Sequence, residues 1–304
     1  MQAVVVNNID KTYGKVKALT DISFAVEKGE LFGIIGPDGA GKTSLFRILT
    51  TLLLPSKGSA IVEGFDVVKD YKQIRKIVGY MPGRFSLYQD LSVEENLEFF
   101  ATIFGTTIEE NYELVKDIYT QIEPFKTRPA GKLSGGMKQK LALCCAMIHK
   151  PVILFLDEPT TGVDAVSRKE FWEMLIRLKK SGITILVSTP YMDEASLCDR
   201  VALIQNGKML AIDKPDNIAK TFDKKLFAVK SGNNYTLLNL LKDFAKTDSV
   251  YPFGEYLHFS PSGNDFQRTE LLEFLSSKGC EDVEINTQEP TIEDCFMNLM
   301  NNNS

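Results

Sequence analysis

The chain has no apolar stretch near the roughly 18 to 20 residues that a membrane-spanning helix needs. Its start, Met1-Gln2-Ala3-Val4, lacks the basic-then-apolar pattern of a secretory leader. It also lacks a long basic run, and its net charge is −5. That weakens a nucleic-acid role, for which clustered Lys and Arg are expected. Cysteine is sparse and unpaired by number: Cys144, Cys145, Cys198, Cys280 and Cys295 make five, without regular spacing. Such usage suits reduced thiols in a cytosol. Cys144 and Cys145 are adjacent on an expected helix and point to different faces, which argues against a two-cysteine metal site. No internal repeat is visible. What remains is ordinary for a globular protein: 44% hydrophobic and 25% charged residues over 304 positions. That is enough for one large domain with its own core and one small one.

The most informative segment runs from Gly36 to Thr43, GPDGAGKT, and fits G-x-x-x-x-G-K-[ST]. Leu31 to Ile35 before it reads as a short buried strand, and Thr43-Ser44-Leu45 onward reads as a helix. Strand, glycine loop and helix is the order that phosphate binding needs. Gly36, Gly39 and Gly41 permit backbone angles closed to other residues. With Pro37, Asp38, Ala40 and Ser44 they form a loop whose N–H groups face phosphate oxygens, aided by the positive end of the helix. Lys42 is expected to reach the outer phosphates, and the Thr43 hydroxyl to ligate Mg²⁺.

A second segment, LSGGMKQK from Leu133 to Lys140, opens a helical run expected over Met137 to His149. Ser134 is placed as its N-cap, followed by Gly135 and Gly136. Here the chain resembles the ATP-binding subunits of ABC transporters, whose signature is LSGGQ, and most closely their drug-export branch. The resemblance covers about the first 220 residues, with several motifs in the family's order.

The resemblance implies roles for individual residues. Tyr13 sits where the family stacks an aromatic ring on adenine. The apolar run Val152 to Leu156 suits a strand buried on both faces and ends in Asp157-Glu158, matching the Walker B pair. Asp157 is expected to hold Mg²⁺ through water, and Glu158 to polarise the attacking water. Asp164, in Gly162-Val163-Asp164, matches the loop that touches the partner subunit. The chemistry is phosphoryl transfer by positioning and charge neutralisation.

Two positions depart from the family pattern. Gly83 stands where Gln usually contacts Mg²⁺ and the attacking water. Pro190 stands where His usually contacts the γ-phosphate. The two histidines present, His149 and His258, lie elsewhere in the pattern. Two expectations stand: an impaired hydrolytic site, with Ser134, Gly135 and Gly136 intact to serve the second ATP of a dimer, or normal hydrolysis through Glu158 alone.

The expected fold is α/β: a P-loop NTPase core with a mainly parallel sheet, an antiparallel edge sheet and an inserted helical subdomain over about 84–150. Val4 to Ile9, Ile22 to Val26 and Ser59 to Val62 read as edge-sheet strands. Ser92-Val93-Glu94-Glu95 has capping-box spacing, and Asn111 to Ile122 reads as another helix. Arg84 to Phe104 matches the stretch that docks a permease loop in the family. Phe171 to Lys180 reads as a helix, and Asn206-Gly207 as a hairpin turn. Residues 221–304 form an expected small α+β domain whose order, β-α-β-β-α-β, suits a ferredoxin-like unit. A last helix spans Thr291 to Met300 before a polar tail, Asn301 to Ser304, expected to fray.

The resemblance therefore implies an ATP- and Mg²⁺-dependent ATPase on the cytoplasmic face of a membrane. Its expected partners are a separate transmembrane permease and a second ATP-binding domain, identical or not. A non-transport ABC ATPase acting on ribosome or DNA, and a nearly inactive regulatory subunit, are the competing readings.

Overall fold

The computed structural model of the chain describes residues 1–263 and 265–302, and Asn303 and Ser304 of the polar tail lie outside them. It divides into two compact units, Met1–Pro215 and Asp216–Ser304.

The first unit opens with β1 (Gln2–Tyr13), β2 (Val16–Glu27), β3 (Leu31–Ile35) and α1 (Lys42–Leu49). Then follow β4 (Lys57–Val62), β5 (Phe65–Asp66), α2 (Tyr71–Ile77) and β6 (Val78–Met81). Three helices come next: α3 (Val93–Ile103), α4 (Ile108–Tyr119) and α5 (Gly135–Met147). The unit closes with β7 (Ile153–Asp157), α6 (Ala165–Lys180), β8 (Thr184–Thr189), β9 (Arg200–Gln205) and β10 (Lys208–Asp213).

Every residue of β3, β7 and β8 is buried, as strands covered on both faces require. They lie at the centre of a six-stranded sheet ordered β10-β9-β3-β8-β7-β6. All pairings are parallel except β9 with β10. That exception is the expected hairpin: Asn206 and Gly207 both have positive φ, 48° and 72°, as a tight primed turn demands. The antiparallel sheet runs β2-β1-β4-β5. Between the two sheets lies α1, whose Phe46 meets Phe155 of β7 edge-on at 5.8 Å. Val4, Val6, Ile22, Leu45 and Ile48 join them in one core.

In the helical insert, α3 and α4 both pack on α5. The capping box at Ser92 is present: Ser92 Oγ accepts from Glu95 N–H at 3.2 Å, and Glu95 Oε2 accepts from Ser92 N–H at 2.7 Å. A second box, Thr107 with Glu110, starts α4 at Ile108 rather than Asn111. Similarly Asp164 accepts from Val166 and Ser167 N–H and starts α6 at Ala165 rather than Phe171. Each such cap contributes about 1 kcal/mol, which decides where the first turn begins. Cys144 and Cys145 are both buried, because α5 is covered by neighbours on several sides. Burial pushes both thiols up, so they stay protonated and inert.

In the second unit, α7 (Pro215–Lys220) precedes β11 (Phe227–Lys230), α8 (Asn234–Asp243), β12 (Thr247–Phe253) and β13 (Tyr256–Pro261). After them come α9 (Arg268–Ser277), β14 (Glu284–Thr287) and α10 (Ile292–Asn302). The sheet order is β12-β13-β11-β14, antiparallel throughout. Leu237, Leu241, Leu271 and Leu275 pack with Val229 and Phe259 beneath it. Two contacts tie down α10. His258 Nδ1 lies 2.7 Å from Asp294 Oδ1, and Cys295 Sγ donates to Ile218 O at 3.2 Å. The second contact is why α7 belongs with this unit.

Candidate functional site

The carboxyl ends of parallel strands are where open α/β sheets present ligands. Here β3, β7 and β8 end at Ile35, Asp157 and Thr189. The loop after β3 is held between two of its neighbours. Gly36 N–H donates to Thr189 O at 3.2 Å, and Gly207 N–H donates to Ala40 O at 3.0 Å. A Cβ on Gly36 would lie 2.1 Å from Ile204 O, so only glycine fits. Gly41, at φ 105°, precedes α1 and supplies no side-chain cap. The first turn of α1 carries no acidic residue either. By contrast α3, α4, α5 and α6 all have a capping side chain. An uncapped helix start behind a glycine loop is suited to an anion.

Lys42 is 3% exposed and points back over the loop. Its ammonium donates to Gly36 O at 2.7 Å and Pro37 O at 2.9 Å, and pairs with Glu158 Oε1 at 3.0 Å. The structure thus brings Lys42 and Glu158 together across 116 positions of sequence. Asp157 is buried, and its Oδ1 accepts from Ser188 Oγ at 2.7 Å. Thr43 sits in the first turn of α1. A hydroxyl and a carboxylate are hard oxygen donors, the type that Mg²⁺ takes along with phosphate oxygens and water. Tyr13 borders the loop: its Oη lies 3.2 Å from Ser44 Oγ, the residue is 45% exposed, and Lys11 Nζ lies 5.2 Å from its ring centroid.

The signature turn packs on the segment that follows β7. Ser134 caps α5, its Oγ accepting from Met137 N–H at 3.3 Å. A Cβ on Gly136 would meet Ser167 Oγ at 2.6 Å, and one on Gly135 would meet Gly162 O at 3.4 Å. Ser134 to Gly136 therefore pack beside the turn that carries Asp164, whereas the phosphate loop packs on Ala18, Ile204 and Glu158. Hydrogen bonds from Ser167 and Val166 hold the Asp164 carboxyl below the usual range.

Gly83 lies against Asp157: a Cβ there would come 3.0 Å from Asp157 O. Pro190 follows Thr189, whose hydroxyl donates to Glu194 Oε2 at the shortest end of the hydrogen-bond range, 2.5 Å. Glu194 is buried and also accepts from Thr160 Oγ1 at 2.8 Å. The sequence reading missed Glu194, Thr160 and Ser188. It also missed Tyr80, whose hydroxyl burial and the Asp157 charge push up to about 12, so it remains a donor. A Ser just before the end of a buried apolar strand was the available signal for Ser188.

Between β6, α3 and α5 lies an apolar cavity of ≈ 480 Å³, with Leu52, Met81, Phe100, Ile103, Phe104 and His149 in its wall. His149 stacks on Phe104 at 3.7 Å. Its Nε2 lies 3.1 Å from Val78 O. Burial lowers the His149 pKa, keeping the ring neutral.

Residues 19–161 match the ABC transporter family. A linearmycin resistance ATP-binding protein of Bacillus subtilis is 30% identical over 299 residues, covering 96% of both chains. The chain belongs to the ABC transporter ATP-binding proteins. A probable multidrug ABC transporter ATP-binding protein of Escherichia coli, YbhF, is 36% identical over 98% of this chain, which spans 52% of that protein's length. A doxorubicin resistance ATP-binding protein of Mycobacterium tuberculosis is 40% identical over 69% of this chain and 65% of its own length. The chain thus spans about half to two thirds of these two relatives. Among solved structures, an ATP-binding cassette captured as a dimer in a post-hydrolysis state with ADP and Pi aligns with a TM-score of 0.63 and 25% identity, over 69% of this chain and 98% of that one. The ABC transporter subunit cbiO1 of Clostridium perfringens gives 0.64 and 27%, over 71% and 90%. Among the described residues, no helix is long and apolar enough to cross a membrane.

Proposed function

We propose that the chain binds and hydrolyses ATP to drive a membrane exporter through a separate transmembrane permease, from the cytoplasmic face. The observation that carries this reading is the pairing of Lys42 with Glu158, next in sequence to the buried Asp157, at the loop between β3 and α1. Gly36 to Ser44 would wrap the phosphates with backbone N–H groups, and Tyr13 would stack on adenine. Lys42 would exchange Glu158 for the outer phosphates, releasing the Glu158 carboxylate to polarise a water. Thr43 and Asp157 would hold Mg²⁺, which neutralises phosphate charge when bound. Positioning and charge compensation then supply most of the catalysis.

Ser134, Gly135 and Gly136 pack on Gly162 and Ser167 rather than on the chain's own phosphate loop, which supports their serving an ATP held by a second ATP-binding domain. Asp164 beside them would lie in that dimer interface. ATP would close the dimer, and hydrolysis would reopen it. The apolar cavity between β6, α3 and α5 falls in the stretch matched to permease docking, and a short apolar segment of the permease fits it. The relatives' names, drug and antibiotic resistance among them, favour a small-molecule cargo.

Gly83 and Pro190 place no hydrogen-bonding side chain beside the γ-phosphate position, which favours slow turnover by this chain's own site and a more active partner site. The test is steady-state Mg²⁺-ATPase activity of the wild type and Glu158→Gln, with ATP binding measured on both. Turnover lost in the variant with binding kept supports the roles given. Equal turnover in both refutes the role of Glu158.

A further inference from the structure

We propose that Ser188 is a positioning residue for hydrolysis, one hydroxyl fixing both the carboxylate assigned to Mg²⁺ and the backbone of the residue assigned to water. The parallel register of β7 and β8 sets Asp157 directly opposite Ser188. A serine hydroxyl has one donor and two acceptor positions. Ser188 Oγ gives its donor to Asp157 Oδ1 at 2.7 Å and accepts from Glu158 N–H at 3.0 Å. The same N–H also reaches Ser188 O at 3.1 Å. Ser188 is fully buried and Asp157 is 1% exposed, so water does not compete for these bonds.

The arrangement does two things. It commits Asp157 Oδ1 to protein, which fixes the carboxylate's rotation and leaves the second oxygen outside that bond. It also anchors the chain where Glu158 turns into the left-handed region, φ 51°, uncommon for a residue with a side chain. The Glu158 side chain leaves that turn toward Lys42. From the neighbouring chain segments, Gly83 brings no side chain, and Pro190 brings neither a hydrogen-bonding side chain nor a backbone N–H. Ser188 therefore orients the pair from β8, through side-chain hydrogen bonds that neither Gly83 nor Pro190 can supply.

The inference rests on the reading that Asp157 holds Mg²⁺ and Glu158 the water, and its test separates the two. Wild type, Ser188→Ala and Ser188→Thr are compared by thermal unfolding, ATP binding, kcat and KM. Binding of Mn²⁺ to the ATP complex, read by electron paramagnetic resonance, adds a measure independent of turnover. In Ser188→Ala the expected result is a kcat lowered about 10- to 100-fold, as for a displaced catalytic group, with KM for ATP within about twofold. Mn²⁺ affinity should fall several-fold, and Ser188→Thr, which keeps the hydroxyl, should recover most of both. Unchanged Mn²⁺ affinity and kcat in Ser188→Ala overturn the proposal. So does a loss of ATP binding and melting temperature in proportion to kcat, the mark of a merely structural role. If the wild type shows no turnover while Mn²⁺ affinity still falls in Ser188→Ala, the orienting role stands and the hydrolytic reading fails.

Discussion

Alanine at three glycines of the phosphate loop should produce three different losses, because the space beside each differs. Gly39 has φ 79° and open space where a Cβ would be. Gly39→Ala therefore bears only the cost of a left-handed backbone, about 1–2 kcal/mol. Gly41 has φ 105°, and its Cβ would fall 2.5 Å from Ala18 O and 2.8 Å from Leu19 Cδ2. Ala18 and Leu19 lie within β2 and cannot yield cheaply. The same backbone cost plus overpacking of about 1–3 kcal/mol brings Gly41→Ala to about 2–5 kcal/mol. Gly36 carries no φ penalty, yet its Cβ would overlap Ile204 O at 2.1 Å, so the loop must move off the β9–β10 hairpin. For a unit of this size, 1 kcal/mol shifts the melting temperature by about 2–4 °C. Gly39→Ala should thus melt a few degrees low. Gly41→Ala should melt about 4–20 °C low, and any of its strain relieved by shifting the loop N–H groups appears as lost affinity, about 30-fold for 2 kcal/mol. Scanning calorimetry and titration with a non-hydrolysable ATP analogue read both quantities. If Gly41→Ala matches Gly39→Ala in melting and affinity, the packing of the loop on β2 is not what shapes the site.

Three further outcomes follow from the geometry. Ser92→Ala and Ser134→Ala each remove an N-cap worth about 1 kcal/mol, so both should melt slightly low. Only Ser134→Ala should cut ATPase turnover more than about tenfold, as loss of a catalytic contact does, and equal turnover in the two would refute its signature role. Pro190→His should raise kcat several-fold by supplying a donor at the γ-phosphate, and an unchanged kcat would show that this position does not limit the rate. Asp294→Asn should destabilise the second unit. Burial alone would raise the Asp294 carboxyl, but hydrogen bonds with His258 and Thr291 outweigh it and leave the pKa lowered. A depressed folded value gives stability that is present above the unfolded pKa and lost as pH falls through the folded one. The difference between wild type and Asp294→Asn should therefore be full at neutral pH and shrink in acid; a pH-independent difference would refute the account in which these bonds hold the ionised carboxylate.

Much of this molecule is written locally. The loop from Gly36 to Thr43, the buried runs of β3 and β7, the Asn206-Gly207 turn and the Ser92 capping box each depend on neighbours a few residues away. Their chemistry is therefore visible in order along the chain. Where a helix starts was less visible: Asp164 and Thr107 move the starts of α6 and α4 forward, because a single side-chain bond outweighs the apolar periodicity behind it. The site itself was half visible. Lys42, Asp157 and Glu158 are identifiable by motif, but that Lys42 spans to Glu158, and that Ser188 bridges Asp157 and Glu158, depends on strand register. Register is set by the whole sheet, in which β3 and β8 are adjacent although some 150 residues lie between them in the chain. The sequence by itself determined which residues can grip a triphosphate. Only the tertiary structure decided which buried hydroxyl orients them, because hydrogen bonds between parallel strands join residues whose separation in sequence carries no local signal.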